Sequence, residues 1–446
     1  MQRRIKNKRG TAMALALVII SIASILFSGA VTYITSQIRY VSHMEAKEKS
    51  LHVADAGLNY YKWYLAHAVE GMYMQEIADF WQETDPYPKG VNEPVEEDFE
   101  GIGKYRINVE KPSVGSTVVS VTVTGWTYKK PEVKRTLKAT LRPRSWSEYA
   151  ILANSEIEIS EGEQIDGLVH SNGGIKFDGV CNNEVTSSVE NYLYGGTTNK
   201  LGVWTGWSDE YNTLQDSEVF LGGKNFPVPA KDFDSVLTSF SLIFEKAQEL
   251  NFDYSTATKA HQIILKGDKI DVNRVINEKD GKVTQVQNVV SNVDLPDVAA
   301  IYVDKNIWIE GHLGSGKKLV VAANNPSVSH GNIYIGNDVY YDDYVSGTVL
   351  GLVAKNNVEV VQDSEDDLRI DAAMLAQIGK VGRMDYGDSK GTLTIHGAIA
   401  TNQGYGFSGY ANVNIGFDSN LLLNPPPFFP IEGVYRTDFW NEIHGE

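Results

Sequence analysis

Residues 311–317 read G-H-L-G-S-G-K, which satisfies the G-x-x-x-x-G-K spacing of a phosphate-binding loop. The glycines of such a loop let backbone N–H groups approach a phosphate closely. Lys318, however, stands where the motif needs Ser or Thr to hold Mg²⁺. A strand-like run, 319–322, follows where a helix N-terminus would have to hold the phosphate. We therefore predict a turn between two strands here.

Acidic residues are dense in the last third of the chain. Asp342 and Asp343 are adjacent, and a tighter group comprises Asp363, Glu365, Asp366 and Asp367. Carboxylates in such patterns occur in calcium sites, in the paired acids of glycan-cleaving enzymes and in solvated corners. Solvated corners are the simplest interpretation. The tighter group is kept as the candidate calcium site, and no cofactor is predicted.

The other reactive residue types do not indicate a functional site. The single cysteine, Cys181, cannot form an intrachain disulfide and is expected to be a small buried apolar residue. The histidines near glycine-rich corners lack metal-ligand spacing: His170, His312, His330 and His396. Neither a Ser/His/Asp order nor a Cys/His arrangement can be argued from spacing. Tyrosines and tryptophans within 191–211 could contact a sugar or a protein, or simply fill a loop.

Charge and length limit the possible functions. The chain has 446 residues, which suggests two or three domains, and 57 acids against 40 bases give a net charge of −17. An acidic surface argues against nonspecific nucleic-acid binding, which needs clustered positive charge.

The N-terminus predicts a membrane anchor. Residues 1–10 form a basic leader that ends at Gly10, and the uncharged run 11–38 is long enough, as a helix, to cross a hydrocarbon core about 30 Å thick. Positive charge before the run places the N-terminus in the cytoplasm and the body outside. Helical spacing continues to about residue 70, with an amphipathic second half. A cleaved secretory signal and a plain signal anchor are the alternatives.

Three features of this region resemble the N-terminus of PilX-type accessory (minor) pilins of type IV pilus systems. They are the leader ending in R-G before T-A-M-A-L, the apolar run, and the segment Ala54, Asp55, Ala56, Gly57. The resemblance covers about the first 65 residues. It implies prepilin-peptidase cleavage between Gly10 and Thr11. Most major pilins carry glutamate at the fifth mature position, where this chain has Leu15. That departure suits an accessory subunit better than a repeating shaft unit.

The resemblance also implies partners and a location. Other pilin-like subunits or the pilus assembly machinery would bind the N-terminal helix. The protein would be a single-pass protein of the inner or cytoplasmic membrane, incorporated into a pilus. Its body would lie in the cell envelope, outside the cytoplasm, where a surface glycan or a protein ligand would be its further partner.

Residues 71–144 predict a small antiparallel β domain. After a proline-containing acidic connection, three runs alternate apolar and polar residues in the way of half-buried strands: 104–110, 117–124 and 133–141. A three-stranded meander ending at 142–143 would cover the apolar stripe of the preceding helix.

Residues 145–446 predict a parallel β-helix-like solenoid head, with a two-sheet sandwich as the alternative. A theme of apolar pair, Asn or Asp, and alternating β-branched residues recurs, and Asn306, Asn332 and Asn357 lie 26 and 25 residues apart. We expect these asparagines in left-handed corner conformations. The repeat also predicts an interior column and an exterior row. The column comprises Ile307, Ile309, Ile333, Ile335, Val358 and Val360, and the row comprises Trp308, Tyr334 and Glu359.

An α+β insertion is expected at about 183–295, packed on the flank of the solenoid. Its helix would start after Asp232, and two strand-like runs at 262–265 and 269–272 would follow. The proline run 425–427 cannot donate to a strand ladder, so residues 424–440 are expected to terminate the head, with their aromatics capping the last coil.

The fold class predicted is therefore mainly β: a long transmembrane and amphipathic helix, a small antiparallel sheet and a solenoid head. The function predicted is that of a non-enzymatic, structural or adhesive accessory pilin-like protein. The alternative is a membrane-anchored β-helix enzyme acting on surface polysaccharide. Convergence of acids with Lys or Arg in a groove along the solenoid would favour the alternative.

Overall fold

The structure, a computed structural model, describes the chain except residues 1–7, 70–71, 73, 84–87, 113–117, 207–212, 234–235, 257, 326, 328–329, 423 and 444–446. Strands dominate the part it describes, as the sequence predicts, and helices are few. The α-helices of that part are α1 (Lys8–Ala68), α2 (Met74–Gln82), α3 (Thr213–Val219) and α4 (Val236–Glu249). Short 3₁₀ turns occupy Trp146–Glu148 and Ser419–Leu422.

The second half of α1 packs on a five-stranded antiparallel sheet. Four of its strands follow one another along the chain: β1 (Val95–Phe99), β2 (Gly103–Glu110), β3 (Val119–Thr127) and β4 (Lys130–Ser145). Burial alternates residue by residue along β2 and β3. The inward side chains meet α1 in one core with Val53, Leu58, Tyr61 and Leu65. Alternation therefore predicts this sheet well, although β1 has no such pattern.

The fifth strand of this sheet comes from the C-terminus. Strand β31 (Ile431–Ile443) pairs antiparallel with β4. The prediction that the C-terminal aromatics cap the last coil is therefore wrong for this segment. Pro430 is the last proline of the chain, and beyond it every backbone N–H is available for a ladder with β4. Tyr435 is buried in the core of the sheet, whereas Phe439 and Trp440 are exposed.

The remaining strands belong to the solenoid head, in which the antiparallel hairpin at 191–201 pairs only with itself among the described strands. Its first part contains β5 (Tyr149–Ala153), β6 (Ile157–Ile159), β7 (Gln164–Asp166), β8 (Leu168–Ser171), β9 (Ile175–Phe177), β10 (Val180–Cys181), β11 (Val185–Ser187), β12 (Asn191–Tyr194), β13 (Thr198–Leu201), β14 (Val203–Trp204) and β15 (Lys224–Asn225). Its second part contains β16 (Asp253–Tyr254), β17 (His261–Gly267), β18 (Lys269–Lys279), β19 (Lys282–Asp294), β20 (Val298–Val303), β21 (Ile307–Leu313), β22 (Lys318–Ala323), β23 (Ile333–Tyr341), β24 (Val349–Ala354), β25 (Val358–Val360), β26 (Leu368–Ala376), β27 (Val381–Arg383), β28 (Lys390–Thr401), β29 (Tyr405–Phe407) and β30 (Tyr410–Phe417).

Coils do not stack in chain order. From β20 onward each coil lies parallel on the next, through β22, β24 and β26 to β28. Strand β28 then pairs in parallel with β5, the first strand of the head, and β30 pairs with β7. The chain thus enters the solenoid in its middle and builds outward through β8 and β11. It then crosses to the far end and returns coil by coil.

The predicted interior column is confirmed. Ile307, Ile333 and Val358 are paired in register, as are Ile309, Ile335 and Val360, and all six are at most 2% exposed. Trp308, Tyr334 and Glu359 stack on the outside in the same register. Glu359, however, is only 7% exposed, because its carboxylate accepts a hydrogen bond from the Tyr386 hydroxyl at 2.8 Å. Glu359 therefore points outward as predicted, but it is covered rather than exposed to solvent.

The repeated asparagines form a ladder. The Asn306 side-chain oxygen accepts from the backbone N–H of Asn332, and the Asn332 oxygen accepts from that of Asn357, at 3.1 and 3.0 Å. None of the three has a positive φ, so the expected left-handed corners are wrong. The amide bonds each coil to the next instead, which explains the repeat in the sequence equally well.

Helix α4 covers one outer face of the solenoid. Its Phe240, Ile243 and Ala247 belong to one cluster with apolar residues that point outward from successive coils. These form a continuous row in register: Tyr302, Ala322, Val353, Leu375, Ala400 and Leu152. The range predicted as an insertion, 183–295, contains α4 but also strands of the ladder. Strand β17 pairs in parallel with β21, and β11 with β8.

Candidate functional site

The first half of α1 projects away from the rest of the protein. From residue 12 to Val41 every side chain is exposed, including large apolar ones such as Ile25 and Phe27, each 72% exposed. Among the described residues this is the one helix that is long and apolar enough to cross a membrane. An apolar surface of this extent is unfavourable in water. The helix is compatible with a single-pass membrane anchor.

The second half of α1 is fixed to the antiparallel sheet by close backbone approach. A Cβ on Gly57 would lie 2.7 Å from the Tyr105 ring and 2.8 Å from Val123. A Cβ on Gly125 of β3 would lie 2.4 Å from the backbone nitrogen of Ala54. One turn earlier, the buried Ser50 hydroxyl donates to the Val133 carbonyl at 2.8 Å. The helix and sheet therefore interlock where both carry glycine.

The family-like segment lies at this junction. Ala54 and Gly57 are buried against the sheet, Ala56 is half-buried, and Asp55 is exposed with its carboxylate accepting from Asn59. Gly10 and Thr11 lie in the first turn of α1, which starts at Lys8. The basic residues before Lys8 lie outside the described residues. Cleavage before Thr11 stays a prediction.

The sequence that resembles a phosphate-binding loop is a turn between β21 and β22, as predicted. No helix follows it in the described part of the chain; β22 begins at Lys318. Lys317 donates to the Asp297 carboxylate and the Leu295 carbonyl, both at 2.8 Å. The Lys318 amine bonds to the Asn424 side chain at 2.9 Å. Both ammonium groups thus hold neighbouring segments together.

The four calcium candidates lie in different surroundings, and Asp366 among them is exposed. Asp363 faces Lys282 at 3.6 Å beside Trp308, whereas Asp367 accepts from the backbone N–H of Thr392. Burial and the nearby Asp338 raise the pKa of Glu365 above its ordinary value. No group of three or more His, Cys, Asp or Glu side chains with metal-binding geometry occurs among the described residues. The calcium hypothesis gains no support from the described geometry.

Asp367 lines a larger groove of about 840 Å³. Strands β26 and β28 form its floor, the loop after β23 forms one wall and residues 418–420 after β30 form the other. The walls meet where the Asn420 amide donates to the Tyr344 carbonyl at 2.7 Å. The groove is lined by Asp338, Tyr344, Asp367, Leu368, Arg369, Asp371, Thr392, Thr394, His396, Asp418, Ser419 and Asn420.

Asp371 is the fully buried carboxylate of the floor. It accepts hydrogen bonds from the Tyr341 N–H at 2.9 Å, the Tyr344 hydroxyl at 2.8 Å and the Arg369 guanidinium at 2.9 Å. Burial raises the pKa of Asp371 above its ordinary value, against the opposing effect of the Tyr341 N–H and Arg369. The Arg369 guanidinium in turn lies between the rings of Tyr340 and Tyr344, at 5.5 and 5.4 Å. Both side chains are therefore held in fixed positions.

Asp418 is the second buried carboxylate, at 1% exposure. Its Oδ1 accepts from the Asn420 N–H at 2.9 Å and lies 3.5 Å from the His396 Nε2. Its Oδ2 has no hydrogen-bond partner among the described residues. A buried carboxylate oxygen without a donor is costly, and this one is also closed off from solvent.

The sequence marks only part of this groove. It singles out Asp367 and His396, but not Arg369, Asp371 or Asp418. Arg369 and Asp371 lie on β26 and Asp418 lies in the turn after β30, so the three are spread over about fifty positions and carry no motif. The other sequence candidate, Cys181, is buried, and burial raises its pKa to about 11, which makes it an inert thiol.

No protein-family model and no curated protein matches the chain. The competence-associated pilin ComZ from Thermus thermophilus is similar in structure, with 14% identity over 89% of this chain and 97% of that one and a TM-score of 0.33. An ice-binding protein from the Antarctic ascomycete Antarctomyces psychrotrophicus has 10% identity over 60% and 95%, with a TM-score of 0.31. The ice-binding protein LeIBP from an Arctic yeast has 10% identity over 61% and 92%, with a TM-score of 0.24. At these TM-scores the similarities carry no functional weight.

Proposed function

We propose that this chain is a PilX-type accessory pilin-like subunit of a type IV pilus system, anchored in the membrane by α1. It carries its β-solenoid head outside the cytoplasm, in a structural or adhesive and non-enzymatic role. The observation that supports this most is α1 itself. One continuous helix of 61 residues has a fully exposed apolar first half and a second half locked into an antiparallel sheet.

The charge pattern supports the orientation. Basic residues precede the apolar run, so the N-terminus lies in the cytoplasm and the acidic head outside. In this arrangement the exposed half of α1 has two successive apolar environments available to it, the bilayer and a bundle of neighbouring pilin helices. Both remove its side chains from water. Other pilin-like subunits are therefore its partners, and Leu15 in place of glutamate suits a position away from the repeating shaft.

Membrane fractionation of cells that express the chain tests the anchor. Replacing Ile25 by Asp puts a charge near the centre of the span, at a cost of about 2.5–3.5 kcal/mol for insertion. We expect Ile25→Asp to shift protein from the carbonate-resistant membrane fraction to the soluble fraction, whereas Ile25→Leu stays with the parent. Protease added to intact spheroplasts should digest the head. A protected head, or membrane association that Ile25→Asp leaves unchanged, would contradict the proposal.

Processing is tested separately by mass spectrometry of the purified protein. The PilX-type assignment expects an N-terminus at Thr11 in a strain with an active prepilin peptidase and at Met1 in a strain without one. Cleavage needs the small residue before the cut, so Gly10→Leu should retain the leader, whereas Gly29→Ala in the same helix should not. An intact Met1 terminus in the competent strain would argue against prepilin processing and leave a plain anchor.

A polysaccharide-cleaving head is a second candidate, and the groove favours it. Four aspartates line it together with Arg369, and acidic residues in a groove are what such an enzyme would need. Incubating the full chain with neutral hexasaccharides and measuring new reducing ends tests this candidate. Turnover that is lost in Asp371→Asn would support it, and intact hexasaccharides would argue against it.

A further inference from the structure

We infer that the outer edge of β19 is an interface between two copies of this chain, at which the β19 strands of the two heads pair antiparallel. The inference goes beyond the membrane anchor and depends only on the solenoid head. It rests on the position of β19 at the end of the ladder, on the absence of charge along it and on the way its sequence complements itself.

Strand β19 extends the ladder beyond the coil that contains β17. One edge of β17 pairs in parallel with β21, and its other edge pairs antiparallel with β18, which in turn pairs with β19. Among the strands that the structure describes, β19 pairs with β18 alone. The N–H and C=O groups on the far side of such an edge strand have no ladder partner and can pair with another strand.

This edge is accessible and uncharged. Every residue in 284–289 is exposed, including Val286 at 42% and Val289 at 39%. The segment 283–293 contains no charged residue, proline or glycine, although the chain as a whole has a net charge of −17. Its valines and its threonine favour the extended conformation, so the segment has the composition of a strand that pairs readily.

The two edges of the small sheet are different. Strand β1 carries three exposed acids at 96–98, and β31 carries Arg436, Asp438 and Glu442. Charged side chains on an edge strand discourage pairing with another chain. The middle of β19 lacks this protection, so two acidic heads can approach each other there without opposing carboxylates.

The charges at the ends of β19 identify the occupant. In an antiparallel pairing centred on Asn288, Lys282 of each copy faces Asp294 of the other, so opposite charges meet at both ends. Within one copy, Lys282 lies 3.6 Å from Asp363, and Asp294 pairs with Lys269. Surface ion pairs of this kind contribute little, so exchanging them for pairs between copies costs little. This complementarity favours a second copy over an unrelated strand.

Valines meet in the same register. Val283 faces Val293 and Val286 faces Val290, and symmetry repeats each pair. Register shifts interrupt the ladder between β18 and β19, and bulges of this kind hinder edge pairing. The longest run of β19 that is paired without a shift, 286–288, adjoins the two-fold centre. It is the part of the edge best shaped for a second strand.

The hairpin that carries this edge is held in place. At the turn between β18 and β19, the Trp308 indole donates to the Gly281 carbonyl at 2.5 Å. The Asp363 N–H donates to the Asp280 carbonyl at 3.1 Å. The turn is thereby fixed to the outer face of the coils, and an edge already held in place loses little freedom on pairing.

Cross-linking in cells that express the full chain tests the contact. The native Cys181 is buried and the pKa of its thiol is raised to about 11, so an introduced cysteine is the reactive one. Gln287→Cys lies beside the two-fold centre and should give a homodimer with a short bis-maleimide. A membrane-permeable reagent makes the result independent of which side of the membrane holds the head. Leu201→Cys, 50% exposed on β13, is the control and should give far less homodimer.

Sedimentation of the purified full chain in detergent micelles measures the strength of the contact. Gln287→Lys places two ammonium groups beside each other at the centre and should weaken dimerisation about tenfold or more. Asn199→Lys makes the same change of charge at an exposed position of β13 and should leave dimerisation unchanged. Both positions are exposed, so both variants should fold like the parent.

Charge reversal tests the register. Lys282→Asp and Asp294→Lys each place like charges opposite each other at both ends and should each weaken dimerisation severalfold. The double variant restores opposite charges and should recover most of the loss. The two residues lie about 40 Å apart along one strand, so this recovery has to occur between copies.

The inference is overturned if the parent is monomeric, or if Gln287→Cys forms an adduct with another protein in place of the homodimer. It is also overturned if the dimer persists unchanged in Gln287→Lys, since α1 or another surface then holds it. A double charge reversal that dimerises as weakly as the single variants would overturn the pairing of β19 with itself.

Discussion

His261 opens strand β17 and lies under the ring of Tyr254, with 4.9 Å between ring centroids. The residue is 1% exposed, and its Nδ1 has no hydrogen-bond partner among the described residues. Burial, and to a smaller extent the charge of Arg274, lowers the pKa of His261 from 6.5 to about 4. A buried imidazole of this kind stays neutral at pH 7 and has a structural role.

Folding stability should therefore depend on pH through His261. The unfolded chain takes up this proton near pH 6.5 and the folded protein only near pH 4, so stability is full above pH 6.5 and falls as the pH drops toward 4. The loss is on the order of 3 kcal/mol. We expect His261→Phe to flatten melting temperature against pH in this window, whereas His52→Phe, exposed on α1, should not. Parallel curves for parent and His261→Phe would contradict the assignment.

Glu359 illustrates how an outward position can still be buried. Its Tyr386 partner comes from the loop that follows β27, whereas Trp308 and Tyr334 of the same outer row pack on each other. Period-two alternation predicts the side of a strand on which a residue lies. It contains no information about which loop covers that side.

Two substitutions test the difference between the interior column and the covered exterior row. Ile335→Asp puts an unpaired charge in the apolar column and should lower the free energy of unfolding by several kcal/mol. Glu359→Lys leaves the Tyr386 hydroxyl without its acceptor and should cost about 1–3 kcal/mol. Glu161→Lys is the control, because Glu161 is exposed, and it should change stability by less than about 0.5 kcal/mol. Denaturant melts measure all three. If Glu359→Lys lowers the free energy of unfolding no more than Glu161→Lys does, the Glu359 side chain lies in solvent.

At the scale of elements, the sequence predicts what is periodic. Helix α1, the alternating strands β2 and β3 and the column from Ile307 to Val360 all follow from regular spacing of apolar residues. The pairing of β5 with β28 does not. It joins residues about 250 positions apart through strands whose short apolar pattern would fit many partners. The groove escapes prediction for the same reason, because its floor and walls meet only once the coils are stacked.

The junction of α1 with the sheet depends on the absence of a side chain at Gly57. An alanine there would place its Cβ within 2.8 Å of both Tyr105 and Val123, which are themselves buried. We expect Gly57→Ala to cost about 1–3 kcal/mol in the stability of the small sheet. Gly29→Ala is the matched control, since nothing lies within 4 Å of a Cβ there and alanine favours helix. Thermal melts in nanodiscs that show Gly57→Ala at or above the parent would contradict the close packing.

At the scale of the whole molecule, segments that are distant in sequence pair with each other at two places. The first coil lies on the last coils through β5 and β7, and the C-terminal strand β31 returns to the small sheet beside β4. The Arg142 guanidinium, 5% exposed, links these regions because it bonds both Glu148 at the entry to the solenoid and Asp438 on β31. The small sheet and the head are thereby joined by ion pairs as well as by the continuous chain.

Removing residues 431–446 tests whether β31 belongs to the small sheet. The truncation takes away the Tyr435 hydroxyl, which accepts from the Trp81 indole at 2.9 Å, and the Asp438 carboxylate, which bonds Arg142. It leaves β4 as an open edge with buried donors unpaired, so the sheet should lose several kcal/mol. We expect hydrogen exchange to rise in peptides of β3 and β4 and to stay at the parent level in β28 and β30.

Trp440→Ala is the control on the same strand, because Trp440 is 59% exposed and its removal leaves the ladder with β4 intact. Its exchange in β3 and β4 should stay near that of the parent. The opposite pattern for the truncation, with faster exchange in β28 and β30 and an unchanged β4, would mean that the C-terminal aromatics cap the coils after all. Because the two patterns involve different peptides of the same protein, one exchange experiment on parent, truncation and Trp440→Ala decides between them.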